Sequence, residues 1–274
     1  MVKTLPLTLF LLGIVVLGFC QEYRIQPVNP DFSSWELAYP ETKNPVSIHL
    51  FVNEDEKNTP FTNWEALHQE LDQKAAKKID SLALLRLIFQ KTHKRLLKNY
   101  KQHSTVEDLL NQGKYDCVSG SALLGLLLDR YGYTYEIVET DYHVFLEVFL
   151  NGKTVILEST LPVGGMITSA SAVSNYLAAY SSEGGVAERN ISEGLAGTRV
   201  NTADNTIFRK VNLHELVGLQ YYNEAIVHFN LQEYRKAIDL LTKALASYPS
   251  ERIEGLKELS IELAYHSYGY DIRN

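Results

Sequence analysis

Apolar positions along this chain change their spacing repeatedly, and each change predicts a different element. Leu5 to Phe19 is an unbroken run without charge, preceded by Lys3 and followed by Cys20 after Gly18-Phe19. A basic start, an apolar middle and small residues at the end form the pattern of a secretory signal peptide, so residues 1–20 are expected to be removed before Gln21. The run is shorter than the ~20 apolar residues a membrane span needs and contains Pro6. A lipid anchor on Cys20 is the alternative, and Phe19, where a lipobox takes a small residue, speaks against it. Residues 21–61 carry Pro27, Pro30, Pro40, Pro45 and Pro60, which predicts an irregular arm with one strand over 46–52.

Helical spacing begins at Thr62-Asn63-Trp64-Glu65, which has the form of a capping box, with Trp64, Leu67 and Leu71 on one face. Leu82, Leu85, Phe89, Leu96 and Tyr100 extend the same period and predict a longer second helix, solvated at Lys91, Lys94, Arg95 and Lys98. Ser104-Thr105-Val106-Glu107 is a second capping box, opening a short helix that stops at Gly113. From Ala122 to Leu128 the chain is apolar nearly all round, so the helix there is expected to be buried, with Asp116 as N-cap and Gly132 near its C-cap.

After Gly132 the period falls to two. Residues 133–139, 142–150 and 154–158 are predicted strands, the last two joined by Asn151-Gly152, a strong hairpin-turn signal. From Val163 to Arg209 no period persists; Gly164-Gly165 and Gly184-Gly185 read as breaks, residues 171–180 as a helix, and the stretch 166–210 as a Gly/Ser-rich loop that is either a linker or a lid. Helical spacing returns at Tyr221, Ala225, Tyr234, Ala237, Leu241 and Ala244, followed by Pro249 and a last helix over 251–267.

The order of predicted elements, helices, then strands with a hairpin, then helices, gives an α+β class, and composition supports a folded chain. An apolar fraction of 45% with 22% charged residues is near the globular average, which excludes disorder as the default. The formal charge of −7 and the lack of a dense basic run exclude nucleic acid as a partner. The sequon Asn190-Ile191-Ser192 bears only on a host that glycosylates. The histidines lack a His-Glu-x-x-His spacing and the cysteines are not paired, so no metal or other cofactor is expected.

The candidate chemistry starts from Cys117, the one cysteine left once Cys20 is lost. A single thiol in an exported protein is either an inert buried residue or a reactive one. Its expected place in the first turn of the buried helix, where the macrodipole and unpaired amides favour an anion, points to the second, although the Asp116 carboxylate opposes it. A two-residue turn at Asn151-Gly152 pairs Leu150 with Lys153, hence Phe145 with Glu158 and His143 with Thr160. His143 and Glu158 then point to the same face as diagonal neighbours. Glu147 shares that face and is the rival orienting acid, two residues further away. A thiol, a histidine base and a carboxylate that holds the base form an acyl-transfer set. The Cys117 N–H, with the side chain of Gln112 or Tyr115, is the candidate oxyanion site.

The succession Tyr115-Asp116-Cys117, an apolar helix, Tyr131-Gly132-Tyr133, His143-Val144-Phe145-Leu146-Glu147-Val148 and Val155-Ile156-Leu157-Glu158-Ser159-Thr160 resembles the core of the transglutaminase-like superfamily. That resemblance covers about residues 62–165 and implies a papain-like fold, with the cysteine at a helix start and the histidine and an aspartate on neighbouring strands. Glu158 stands where the superfamily usually has Asp, and Phe145 is a mild variation at an aromatic position. The C-terminal spacing, with Leu231-Gln232-Glu233-Tyr234 as the turn between helices, resembles one tetratricopeptide repeat plus a following helix. One repeat is too little to stand alone, so the unit is expected to dock on the core or a partner, as scaffold or as a peptide-binding groove. The implied organisation is a signal peptide (1–20), an arm (21–61), a transglutaminase-like core (62–165), a loop or lid (166–210) and a tetratricopeptide-like helical region (211–274).

Two functions follow as expectations. One is an exported, periplasmic or extracellular cysteine enzyme that hydrolyses or transamidates amides of peptide or protein substrates through Cys117, His143 and Glu158. The other is an inactive member of the superfamily that uses the same fold, and the tetratricopeptide-like helices, to bind a protein partner. A membrane association is expected only with lipid on Cys20.

Overall fold

The computed structural model describes residues 47–52, 61–180 and 207–268. The expected signal peptide with Cys20, most of the arm, the Gly184-Gly185 break and the sequon at Asn190 lie outside the described residues. Within them the chain is α+β: eight α-helices, a short 3-10 turn, a five-stranded antiparallel sheet and a two-stranded parallel ribbon.

The sheet runs in the order β6-β5-β4-β3-β7, from β3 (Thr134–Thr140), β4 (Val144–Leu150), β5 (Lys153–Leu157), β6 (Met166–Ile167) and β7 (Phe208–Val211). Asn151 and Gly152 both have positive φ, 51° and 72°, so the β4–β5 turn has the twist that suits a two-residue hairpin. Leu150 faces Lys153 and Leu146 faces Leu157, which is the register expected from the turn. Ile137, Leu146, Val148, Val155 and Leu157 enter the main core, whereas Val138, Phe145 and Ile156 enter a second cluster on the other face. That second cluster is closed by Val173, Tyr176 and Leu177 of α5 (Ala170–Ala178), which agrees with the helix expected over 171–180, while β6 and most of β7 occupy the two ends of the stretch expected as a loop.

The main core is organised by α4 (Cys117–Arg130), buried nearly all round as its composition predicts. It is packed between the sheet and the helices α2 (Ser81–Arg95), α3 (Val106–Gln112) and α6 (Leu213–Asn230). Lys91 and Arg95 of α2, expected as solvated, pair with Glu70 of α1 (Thr62–Ala75) at 2.5 Å each.

Several local expectations shift. The strand expected over 46–52 is instead a 3-10 turn at Ile48–Leu50, capped by the Ser47 hydroxyl, which turns Phe51 and Val52 into the core in place of offering an edge for pairing. The first helix has Phe61 as its N-cap and no side-chain cap, because the helix begins one residue before the Thr62-x-x-Glu65 box would place it. The second box slips by one residue: Thr105 caps α3 and Asp108 closes the box, while Ser104 is buried. The second helix stops at Arg95, so Tyr100 is not on its face. It belongs to β1 (Asn99–Tyr100), which pairs in parallel with β2 (Lys114–Tyr115), since the Gly113 carbonyl accepts from Lys98 and Asn99 at 3.0 Å.

The C-terminal region forms α6, α7 (Tyr234–Ser247) and α8 (Glu251–Tyr268), with the α6–α7 turn at Leu231-Gln232-Glu233. Gly218 permits the close approach of α6 to the end of α7: a Cβ there would lie 2.4 Å from the Tyr248 Cβ. The helices dock on the core. Leu213 fills the notch at Gly125 of α4, and buried Gln220 accepts from the Val106 N–H at 2.8 Å and donates to the Phe51 carbonyl at 3.0 Å. Among the described residues no helix is long and apolar enough to cross a membrane.

One buried carboxylate ties the helical region to the sheet. Glu139 on β3 is 1% exposed; it accepts from Arg209 Nε on β7 at 2.8 Å, from the Arg252 guanidinium on α8 and from the Tyr248 hydroxyl. Arg209 lies over the Tyr248 ring at 4.6 Å and Arg252 over Tyr222 at 5.0 Å. Removing one member of such a buried set leaves uncompensated charge. Glu139→Ala is therefore expected to lower unfolding free energy in urea by about 3–5 kcal/mol, and a loss below about 1 kcal/mol, the range of an exposed pair, would show that solvent screens the cluster.

Candidate active site

Cys117 is the first residue of α4 and is half-buried, with Asp116 as the expected N-cap. The Asp116 carboxylate accepts from the Ser119 N–H and hydroxyl, each at 2.8 Å, and the Ser119 hydroxyl accepts from the Asp116 N–H at 2.9 Å. Burial pushes the Asp116 carboxyl up to about 6, against these bonds and a further one from Asn223 of α6 at 3.4 Å. Two contacts press this first turn onto the sheet. Gly120 has no side chain where a Cβ would lie 2.9 Å from the Ser159 Cβ, and the Ser121 hydroxyl donates to the Val144 carbonyl at 3.3 Å. The turn bearing Cys117 therefore sits against the start of β4 and the residue that follows Glu158.

His143 immediately precedes β4, and the Cys117 thiol lies close enough to its imidazole to help raise its pKa. Its Nε2 lies 2.5 Å from Glu158 Oε2, so the diagonal pair expected from the hairpin register is formed. Glu158 is 2% exposed and fully partnered: Oε1 accepts from the Thr160 N–H at 2.8 Å and hydroxyl at 2.6 Å, and Oε2 accepts from the Tyr176 hydroxyl. Burial alone would push its pKa up, but the His143 charge and these donors outweigh it and hold the carboxyl at about 2. For His143 burial pulls down, while the Glu158 charge, Tyr180 and the thiol hold it well above the ordinary imidazole value. The ring is stacked on Tyr180 at 5.9 Å and 15°, and on Phe145 at 6.4 Å and 28°.

The chain pattern thus identifies three residues that the structure brings together, and misassigns others. Glu147 does not orient His143; its carboxylate pairs with Lys210 Nζ at 3.0 Å, because the edge strand β7 supplies a cation there. Gln112 is exposed and accepts from Lys114 Nζ at 2.6 Å, since Gly113 in the left-handed region turns the chain between it and Cys117. Tyr115 is near Glu158 but 4% exposed, edge-on to His93 and Tyr100. His93 itself is buried, kept neutral at about 4 by burial against the pull of Glu158, and neither ring nitrogen has a hydrogen-bond partner.

Sequence reasoning missed Thr160, Tyr176 and Tyr180. Thr160 lies two residues after Glu158, within reach of its own strand end, and Tyr176 and Tyr180 are four apart along a predicted helix, which puts both rings on one side. Among the described residues no group of His, Cys, Asp and Glu is placed to hold a metal ion.

No protein-family model, curated protein or solved structure matches the chain. The geometry itself yields a test. A carboxyl depressed from 4.5 in the unfolded chain to about 2 stabilises the fold above the first value and ceases to do so as pH falls to the second. The stability difference between wild type and Glu158→Gln should be full at about pH 5 and shrink steadily towards about pH 2. Urea unfolding across that range measures it, and a difference independent of pH would mean that the carboxylate charge is not what holds the site.

Proposed function

We propose that this chain is an exported, cysteine-dependent acyl-transfer enzyme acting on amide bonds of peptide or protein substrates, on a papain-like framework of the transglutaminase-like kind. The reading is carried by the His143–Glu158 pair, bonded at 2.5 Å, with the Cys117 thiol acting on the same imidazole. The α+β order of a buried helix followed by an antiparallel hairpin, with the thiol at the helix start, supports the same reading.

With Nε2 engaged by Glu158, Nδ1 is the ring nitrogen left to face the thiol. The sulfur attacks the substrate carbonyl carbon with the proton of the thiol–imidazole pair held on His143, giving a tetrahedral oxyanion. The carbon–nitrogen bond then breaks, His143 returns the proton to the leaving amine, and a thioester remains on Cys117. Water or a second amine attacks the thioester, again through His143, and releases an acid or a new amide together with the free thiol. Glu158 stays ionised throughout, held by Thr160 and Tyr176, so it stabilises the imidazolium and fixes the ring. Asp116 takes up the N–H groups of Val118 and Ser119, and its carbonyl accepts from Gly120, which leaves the Cys117 N–H for the oxyanion.

Alkylation tests the first link. Iodoacetamide is expected to modify Cys117 faster at neutral pH than a model thiol, and His143→Ala to slow it by about 100-fold, the low end of what general base catalysis contributes. Equal rates in the two proteins would overturn the enzyme reading and favour the inactive interaction protein.

A further inference from the structure

We infer that the Tyr100 hydroxyl is the second oxyanion donor, acting with the Cys117 N–H on the tetrahedral intermediate. The inference rests on the acyl-transfer reading and deepens it. A single backbone donor leaves an oxyanion half satisfied, and sites of this kind use two donors. Neither candidate from the chain pattern fills the place: Gln112 is spent on Lys114 in solvent, and Tyr115 is packed against His93.

Tyr100 is positioned by the small parallel ribbon. Its partner across the ribbon is Tyr115, two residues before Cys117, and neighbouring strands are about 4.8 Å apart. The pairing is pinned on both sides, by Lys98 and Asn99 donating to Gly113 at 3.0 Å and by Lys101 donating to Tyr115 at 2.8 Å. The ring meets Tyr115 edge-on at 5.8 Å, which fixes its orientation. Unlike Tyr115 it is 39% exposed, so a bound substrate has access to it.

Its electrostatics suit a donor. Burial first, then the nearby Cys117, Asp116 and Glu158, push the phenol well above its ordinary value. Tyr100 therefore keeps its proton, within electrostatic reach of Cys117, at any pH where the enzyme would work. A neutral O–H beside a developing negative charge lowers the energy of the intermediate without first having to lose a competing charge.

Tyr100→Phe separates this role from others, with p-nitrophenyl acetate as the acyl donor and iodoacetamide as the alkylating agent. Acylation of Cys117 passes through an oxyanion and alkylation does not. The variant is expected to lose at least about 10-fold in acylation kcat/KM while its alkylation rate stays that of wild type. Unchanged acylation overturns the inference. Equal losses in both reactions also overturn it, because Tyr100 would then support the fold or the thiol. Should the wild-type protein be alkylated at Cys117 but not acylated, the acyl-transfer reading falls, and the inference with it.

Discussion

The close approach of the first turn of α4 to Ser159 is the constraint on which the site depends. A helix and a strand end normally keep side chains between them, and here Gly120 removes that layer, because a Cβ would lie 2.9 Å from the Ser159 side chain. The contact brings Cys117, on one side of Gly120, towards Glu158, which immediately precedes Ser159, and the Ser121 bond to Val144 holds the turn at the start of β4 beside His143. The burial of α4 supplies the force for this approach. Leu123, Leu124, Leu127 and Leu128 have no exposed surface, so the helix cannot rotate or withdraw without opening the main core.

The same packing takes Glu158 out of water, and a buried carboxylate is tolerated only when its lone pairs are filled. Here they are filled by His143, Thr160 and Tyr176. The long glutamate side chain fits this arrangement: the residue sits just past β5, whose Leu157 faces Leu146, and reaches diagonally to His143 before β4. The tight return that follows, with the Glu158 N–H bonded to the Gly165 carbonyl at 2.8 Å, keeps Thr160 within reach of Oε1. Gly165 has no room for a Cβ there, since one would lie 2.5 Å from the Glu158 carbonyl oxygen. The pair of glycines that reads in the chain as a break thus closes the loop that satisfies the carboxylate.

What the chain made legible follows the range of each interaction. The buried helix, the Asn151-Gly152 turn and the His143–Glu158 pair come from local signals, a change of period and a turn whose geometry sets the register, and all three are observed. The features that escaped depend on partners distant in the chain. Tyr100 continues a helical spacing on paper, yet pairing with β2 overrides that preference, and a two-residue strand has no period of its own. Glu147 and Glu158 are equivalent by parity, and only β7, contributed by residues 208–211, separates them by giving Glu147 a lysine. Tyr176 was within a predicted helix, but its bond to Glu158 depends on how α5 covers the second face of the sheet.

The C-terminal helices belong to this same economy of buried polar groups. Gln220 satisfies the N-terminus of α3 and the carbonyl of Phe51 at once, and Asn223, three residues on and so on the same side of α6, donates to the Asp116 carboxylate. Glu139 joins β3 to β7 and α8 from the opposite side of the helical region. Each of these bonds buries a group that would otherwise require water, so the C-terminal helices are coupled to the core by polar as well as apolar contacts. A helix added as an independent recognition module would leave such groups unpaired when it moved. The bond from Asn223 to the N-cap that precedes Cys117 means instead that a displacement of α6 also reaches the turn that holds the thiol.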